Sequence, residues 1–314
     1  MRAPVVSQRV FRRLTAATVA VTGAIVVTGG AVRLSGSGLG CPTWPNCAAG
    51  QLDAAGLGLR GAIEFGNRVV TVAITVLVAL TAVAAFRLAA RRRDLRLLAV
   101  GMIAGVVGNA VIGGVTVLAG LHPAWVAVHF LFNMALLVVA LQLHVRAGRS
   151  ADSRPVRVAG RETRLLAAAL VVVGAFVLFA GTLATGTGPH GGDAGAPRFG
   201  FAPLDRVTAL HADAAMVLVG LVAATVLVTR VTDVPPAARA RAAALAVVVA
   251  GQAALGFAQY LLDLPAVLVL AHIAGATLLW CLTLGFALAT SEHGPLPTVT
   301  APARARSPVA MQPA

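Results

Sequence analysis

The sequence predicts an all-α polytopic membrane protein whose eight transmembrane helices form two pseudo-symmetric four-helix bundles. Three observations lead there: eight long apolar runs, a one-sided distribution of arginine, and an internal repeat. Of 314 residues, 58% are hydrophobic and 11% charged, which excludes an ordinary soluble domain.

A span needs about 20 mostly apolar residues, and such runs fall at 15–33, 68–90, 97–118, 123–145, 165–185, 207–229, 242–262 and 266–290. The first follows Arg9, Arg12 and Arg13; it is too long for a secretory core and lacks a convincing cleavage site, so it reads as a retained span. The connection to the second holds Cys41-Pro42-Thr43-Trp44-Pro45-Asn46-Cys47. On an oxidising side two such cysteines form either a structural disulfide or a reactive or metal-binding pair. The second span opens on Ile63-Glu64-Phe65-Gly66-Asn67-Arg68, and the glycines in spans 1 and 3 suit close helix contact. His129 follows Pro123 by six residues in span 4, and His272 follows Pro265 by seven in span 8. His211 sits near the start of span 6, while Cys281 in span 8 reads as inert packing. These boundaries give an N-terminal four-helix half over 1–150, a C-terminal half over 151–293, and a Pro-, Ala- and Arg-rich tail over 294–314 that reads as disordered.

All 25 basic residues are arginine, and only Arg33, Arg60, Arg68, Arg198 and Arg206 lie on the side away from the termini. Positively charged loops stay inside, which predicts cytoplasmic termini in the cell membrane. The net charge of +14 is then the bias of loops facing anionic membrane lipid and implies no nucleic acid.

Adding 143 to Gly108, Ala110, Gly113, Leu118 and His129 gives Gly251, Ala253, Gly256, Leu261 and His272; an offset of 144 carries Asn67 onto His211. Ser35-Gly36-Ser37-Gly38 is echoed by Thr185-Gly186-Thr187-Gly188. Each half is then a four-helix unit of the same orientation, a parallel repeat. Asn67 with His129, and His211 with His272, define two pockets toward the outer side. Ionisable side chains inside a membrane are functional candidates, and an imidazole pair on facing helices suits haem iron. Zinc would draw more ligands close by. In the first pocket Glu64 shares a helical face with Asn67. It either serves chemistry there or caps and neutralises the Arg68 end of the span, and Arg68 is placed to pair with a haem propionate. His122, His144 and His293 read as interfacial. His190 is either a lid residue or a solvated loop residue, and Asp213 is a candidate to orient a ligand or proton path.

Taken together, these residues resemble the haem A synthase family, in its actinobacterial form. The likeness rests on Thr28-Gly29-Gly30 through Arg33 to the Cys41–Cys47 loop, Glu64 with Arg68, Gly113-Gly114-Val115-Thr116-Val117-Leu118 with His122-Pro123 and His129, the Gly186-Thr187-Gly188-Pro189-His190 loop, and His211 with His272; it covers about 10–290. The resemblance implies an oxidoreductase that converts the C8 methyl of haem O to the formyl of haem A for terminal oxidases. It implies haem b on His211 and His272, substrate haem in the first half, a Glu64 required for oxidation, and a Cys41–Cys47 disulfide. It further implies haem O synthase and an electron-transfer partner as associates. Asn67 departs from the histidine of many members, leaving substrate haem to His129 alone. The rival classes are a bis-histidine cytochrome b electron carrier and a transporter.

Overall fold

The computed structural model describes residues 5–88, 90–149 and 154–294. Eight helices follow one another: α1 (Gln8–Leu34), α2 (Gly58–Phe86), α3 (Arg93–Leu118), α4 (Pro123–Ala147), α5 (Arg161–Thr187), α6 (Leu204–Val231), α7 (Pro236–Leu261) and α8 (Ala266–Ala289). They run from 24 to 29 residues, or about 36–44 Å at 1.5 Å per residue, against a hydrocarbon core of about 30 Å. All eight are long and apolar enough to cross a membrane, and the chain is a multi-pass membrane protein.

The largest departure from the apolar runs is at α2, which starts at Gly58 rather than near residue 68. An apolar window reports only the stretch that touches lipid. The polar turns that precede it stay helical because a loop folded on them supplies partners for Glu64 and Arg68. Helix starts follow familiar chemistry: the Ser7 side chain accepts from the Val10 amide at 3.3 Å, and Pro123 and Pro236 occupy first turns. The turns between α3 and α4 and between α7 and α8 share one backbone shape. Gly120 and Leu121 have φ of 61° and 59°, and the residues 143 further on, Asp263 and Leu264, have 55° and 58°.

Packing runs α1–α2–α3–α4 and back to α1, and α5–α6–α7–α8 and back to α5. Across these rings the backbones of α2 and α4, and of α6 and α8, stay more than 8 Å apart. Phe11, Val78, Leu95, Met102 and Leu143 centre one core, and Leu170, Val222, Leu245 and Phe286 another. A third cluster joins them through Val26, Met134, Leu137, Trp280 and Leu284, with Trp280 Nε1 donating to the Met134 carbonyl at 3.0 Å. Outward-facing Val72, Val76, Leu80 and Val83 are exposed, as a lipid-facing surface requires.

A row of threonines on α1 finds partners within its own helix and on its neighbours. Thr15, Thr18 and Thr22 on α1 each donate to a main-chain carbonyl of their own helix. The same row reaches His144 on α4 at 3.0 Å and Thr81 on α2 at 3.1 Å, and the Thr22 carbonyl accepts from Asn133 Nδ2 at 3.1 Å. Two short strands, β1 (Arg154–Arg157) and β2 (Ser291–Gly294), pair antiparallel. Apolar periodicity carries no signal for so short a pairing, which ties the α4–α5 connection to the end of α8. It places His293 and Gly294 in a strand, while residues 295–314 of the expected disordered tail lie outside the described residues.

Candidate haem-binding pockets

Asn67 lies nine residues after Gly58, His129 six after Pro123, His211 seven after Leu204 and His272 six after Ala266. All four therefore sit about 9–14 Å into their helices, at the end of the bundle away from the termini. The helices that carry them stand opposite each other in pairs in the two rings, α2 opposite α4 and α6 opposite α8, so the space between each opposite pair, with two polar side chains at one depth, is that ring's candidate cleft.

In the second half the His211 and His272 rings stand 6.3 Å apart between centroids, inclined at 73°. Two metal–nitrogen bonds of about 2 Å, with a ring radius of roughly 1.2 Å at each end, put the centroids of a pair ligating one ion about 6.4 Å apart. The observed separation fits one iron between them. His211 Nδ1 lies 3.1 Å from the Val177 carbonyl, which fixes Nδ1 as the protonated nitrogen and leaves Nε2 to ligate. His272 Nδ1 is buried with no partner. Among the described residues no group of three or more His, Cys, Asp or Glu comes together, so the donor set suits a macrocycle that brings its own equatorial ligands.

In the first half the pocket has one imidazole. His129 stands on α4, opposite the helix that carries Asn67, and its Nδ1 is buried and unpartnered. Asn67 Oδ1 accepts from the Thr28 hydroxyl of α1 at 2.8 Å.

The loop between α1 and α2 folds onto this pocket. Cys41 and Cys47 are joined by a disulfide. Glu64 is only 6% exposed, so its oxygens need protein donors. One accepts from the Cys41 amide at 2.7 Å and the other from Arg68 at 2.6 Å. Arg68 also donates to the carbonyls of Cys41 (3.1 Å), Thr43 (3.0 Å), Pro45 (3.3 Å) and Asn46 (3.1 Å). Both terminal nitrogens of Arg68 are thus engaged by the loop, and its pairing with Glu64 is the neutralising arrangement weighed from sequence. The loop carries Trp44 against Gly114 of α3, where a β-carbon would sit 2.4 Å from the indole. Nothing in the sequence singled out Trp44. The adjacent glycines marked the place without saying what occupies it.

Other candidates fall elsewhere. His190 Nε2 meets the Leu264 carbonyl at 2.8 Å and holds the left-handed α7–α8 turn. His122 caps α4 with its side chain, and Asp213 is exposed. The two outer connections are stitched together by Gly38 N–H to the Gly192 carbonyl at 2.9 Å and Arg33 to the Thr185 carbonyl at 2.7 Å. Cys281 is a free, half-buried thiol.

Proteins named Heme A synthase from Bacillus cereus (strain AH187), Bacillus anthracis (strain A0248) and Bacillus thuringiensis subsp. konkukian (strain 97-27) resemble this chain. Each is 30% identical over 135 residues, 41% of this chain and 43% of the relative. The chain thus aligns with less than half the length of these relatives. Residues 12–52 and 52–284 match the COX15-CtaA family of cytochrome oxidase assembly proteins. With eight spans and a match across both halves, the chain belongs to the COX15-CtaA family.

Proposed function

We propose that this protein is a haem A synthase, a membrane oxidoreductase that converts the C8 methyl of haem O to the formyl of haem A. The observation that carries the reading is the His211–His272 pair at 6.3 Å, repeated at matched depth by a one-histidine cleft in the other half. The two halves, 1–150 and 151–293, act as pseudo-symmetric units. The C-terminal one holds a resident haem b on His211 and His272, and the N-terminal one holds substrate haem on His129, beside Asn67. When bound, the resident haem supplies one-electron redox chemistry.

The protein's own part is positioning and proton handling. Oxidising a methyl to a formyl adds one oxygen atom and removes four electrons; with water as the oxygen source, R–CH3 + H2O gives R–CHO + 4 H+ + 4 e−, the electrons leave to an electron-transfer partner, and Glu64 is the carboxylate set beside the first cleft to pass the protons on in turn. Arg68 serves the same cleft through the loop it holds, which excludes water with Trp44. The arginine asymmetry supports cytoplasmic termini, with both clefts toward the outer leaflet. Haem O synthase and an electron-transfer protein are the partners this chemistry requires.

Co-expression with a haem O source in cells lacking the activity, followed by pigment extraction, tests the reading. Haem A is the expected product. Folded protein, a bound haem and no haem A would instead make the chain an electron carrier of the cytochrome b type.

A further inference from the structure

Four helix pairs repeat one contact. Counted from the first residue of each odd helix, the position twenty residues on is Thr28 in α1, Gly113 in α3, Gly181 in α5 and Gly256 in α7. Each of these faces the polar residue of the following helix. A β-carbon at Gly113 would lie 3.0 Å from His129 Cε1, one at Gly181 3.1 Å from His211 Cε1, and one at Gly256 4.0 Å from His272 Cε1. At Gly113 and Gly181 the missing β-carbon is therefore what leaves room for the imidazole, while at Gly256 a β-carbon would make only ordinary contact with it. In the fourth copy both partners differ. Thr28 replaces the glycine, Asn67 replaces the histidine, and the two are hydrogen-bonded at 2.8 Å.

We infer that Thr28 and Asn67 are a matched pair that makes the first cleft a one-histidine site, with Thr28 closing the fourth seat to an imidazole. A threonine there adds a β-carbon and two further atoms at a position where, in the two tighter seats, a β-carbon alone would press on the ring. A histidine at position 67 cannot take the pose of His129 or His211 while Thr28 stands. With Asn67 Oδ1 occupied by the Thr28 hydroxyl, the free end of the carboxamide is its Nδ2, a donor. The cleft is then built for an iron porphyrin held on His129, with the opposite face left for a small acceptor ligand that Asn67 hydrogen-bonds. Thr28 is a positioning residue that decides ligation number. This deepens the proposed reading of the first cleft and rests on it.

The experiment compares the parent with Asn67→His, Thr28→Val/Asn67→His and Thr28→Gly/Asn67→His, each purified and loaded with excess haem b as probe. Low-spin haem per chain is counted by electron paramagnetic resonance, with the second-half signal reporting that each variant is folded. Parent, Asn67→His and Thr28→Val/Asn67→His are expected to show one low-spin haem and a second haem that binds cyanide. Thr28→Gly/Asn67→His is expected to show two low-spin haems and cyanide affinity weaker by about tenfold or more. A second low-spin haem in Asn67→His alone, or its absence from Thr28→Gly/Asn67→His while the first cleft is loaded, overturns the inference. If the first cleft of the parent takes no haem, the proposed substrate site fails, and the seat is read without haem. Thermal midpoints of the haem-free chains should then fall for Asn67→His and recover in Thr28→Gly/Asn67→His; no coupling between the two changes overturns the matched pair.

Discussion

A residue in a membrane is defined by what satisfies it, and Glu64 is the sharpest case. Its two oxygens take the Cys41 amide and the Arg68 guanidinium, so it anchors the loop and, on the proposed reading, also serves the first cleft. Glu64→Gln separates those roles, because an amide oxygen still accepts from Cys41 but cannot hold a proton at neutral pH. The variant should fold and keep its second-half haem, and should stop short of haem A with a partly oxidised alcohol accumulating in extracted pigments. Haem A at the parental rate would return Glu64 to a purely structural role. His129→Ala should likewise lose haem A while sparing the second-half spectrum, read on the same extracts, because the clefts belong to different rings. The histidines and Glu64 were legible in the sequence, since polar groups in apolar runs advertise themselves. Gly113 and Thr28 were visible too, as repeat and motif residues, but what they touch was not, and Gly181 carried no signal, because contacts between helices are not reported by spacing along one helix.

At the scale of elements, the α1–α2 loop is a folded cover gathered around one guanidinium, with Glu64 and the disulfide as further ties. Four of its carbonyls converge on Arg68, and Trp44 fills the gap above Gly114. Gly114→Leu should expel the indole and overpack the α3 face, lowering stability by about 2 kcal/mol and raising quenching of Trp44 fluorescence by added iodide. An unchanged quenching profile would show that the ring does not depend on that seat. The disulfide closes the same loop, so Cys41 and Cys47 should resist a membrane-impermeant maleimide until reductant is added; labelling without reductant would contradict the bridge. The sequence located all eight helices because each apolar run is long. It placed the apolar run of α2 at 68 although the helix starts at Gly58, because the polar turns around Arg60, Glu64 and Arg68 carry no apolar signal. It missed β1 and β2 because four-residue strands have no periodicity to detect.

At the scale of the molecule, two rings of four helices share a seam in which Trp280 of α8 donates to the Met134 carbonyl of α4. Trp280→Phe should cost about 1–3 kcal/mol by leaving that buried carbonyl one donor short, read as a lower thermal midpoint in detergent with both cleft chemistries retained. The offset of 143 was visible in the sequence as scattered glycines, leucines and histidines. The structure extends it to the paired left-handed turns at Leu121 and Leu264, which composition cannot foretell. On the proposed reading the seam brings together a closed two-histidine cleft and an open one-histidine cleft, and the whole account depends on the first of these holding iron. The most direct measurement is the low-spin haem spectrum of the purified protein with His211→Ala and His272→Ala set beside the parent. The account predicts that each substitution abolishes the low-spin signal or converts it to high spin, whereas unchanged spectra in both variants would contradict it.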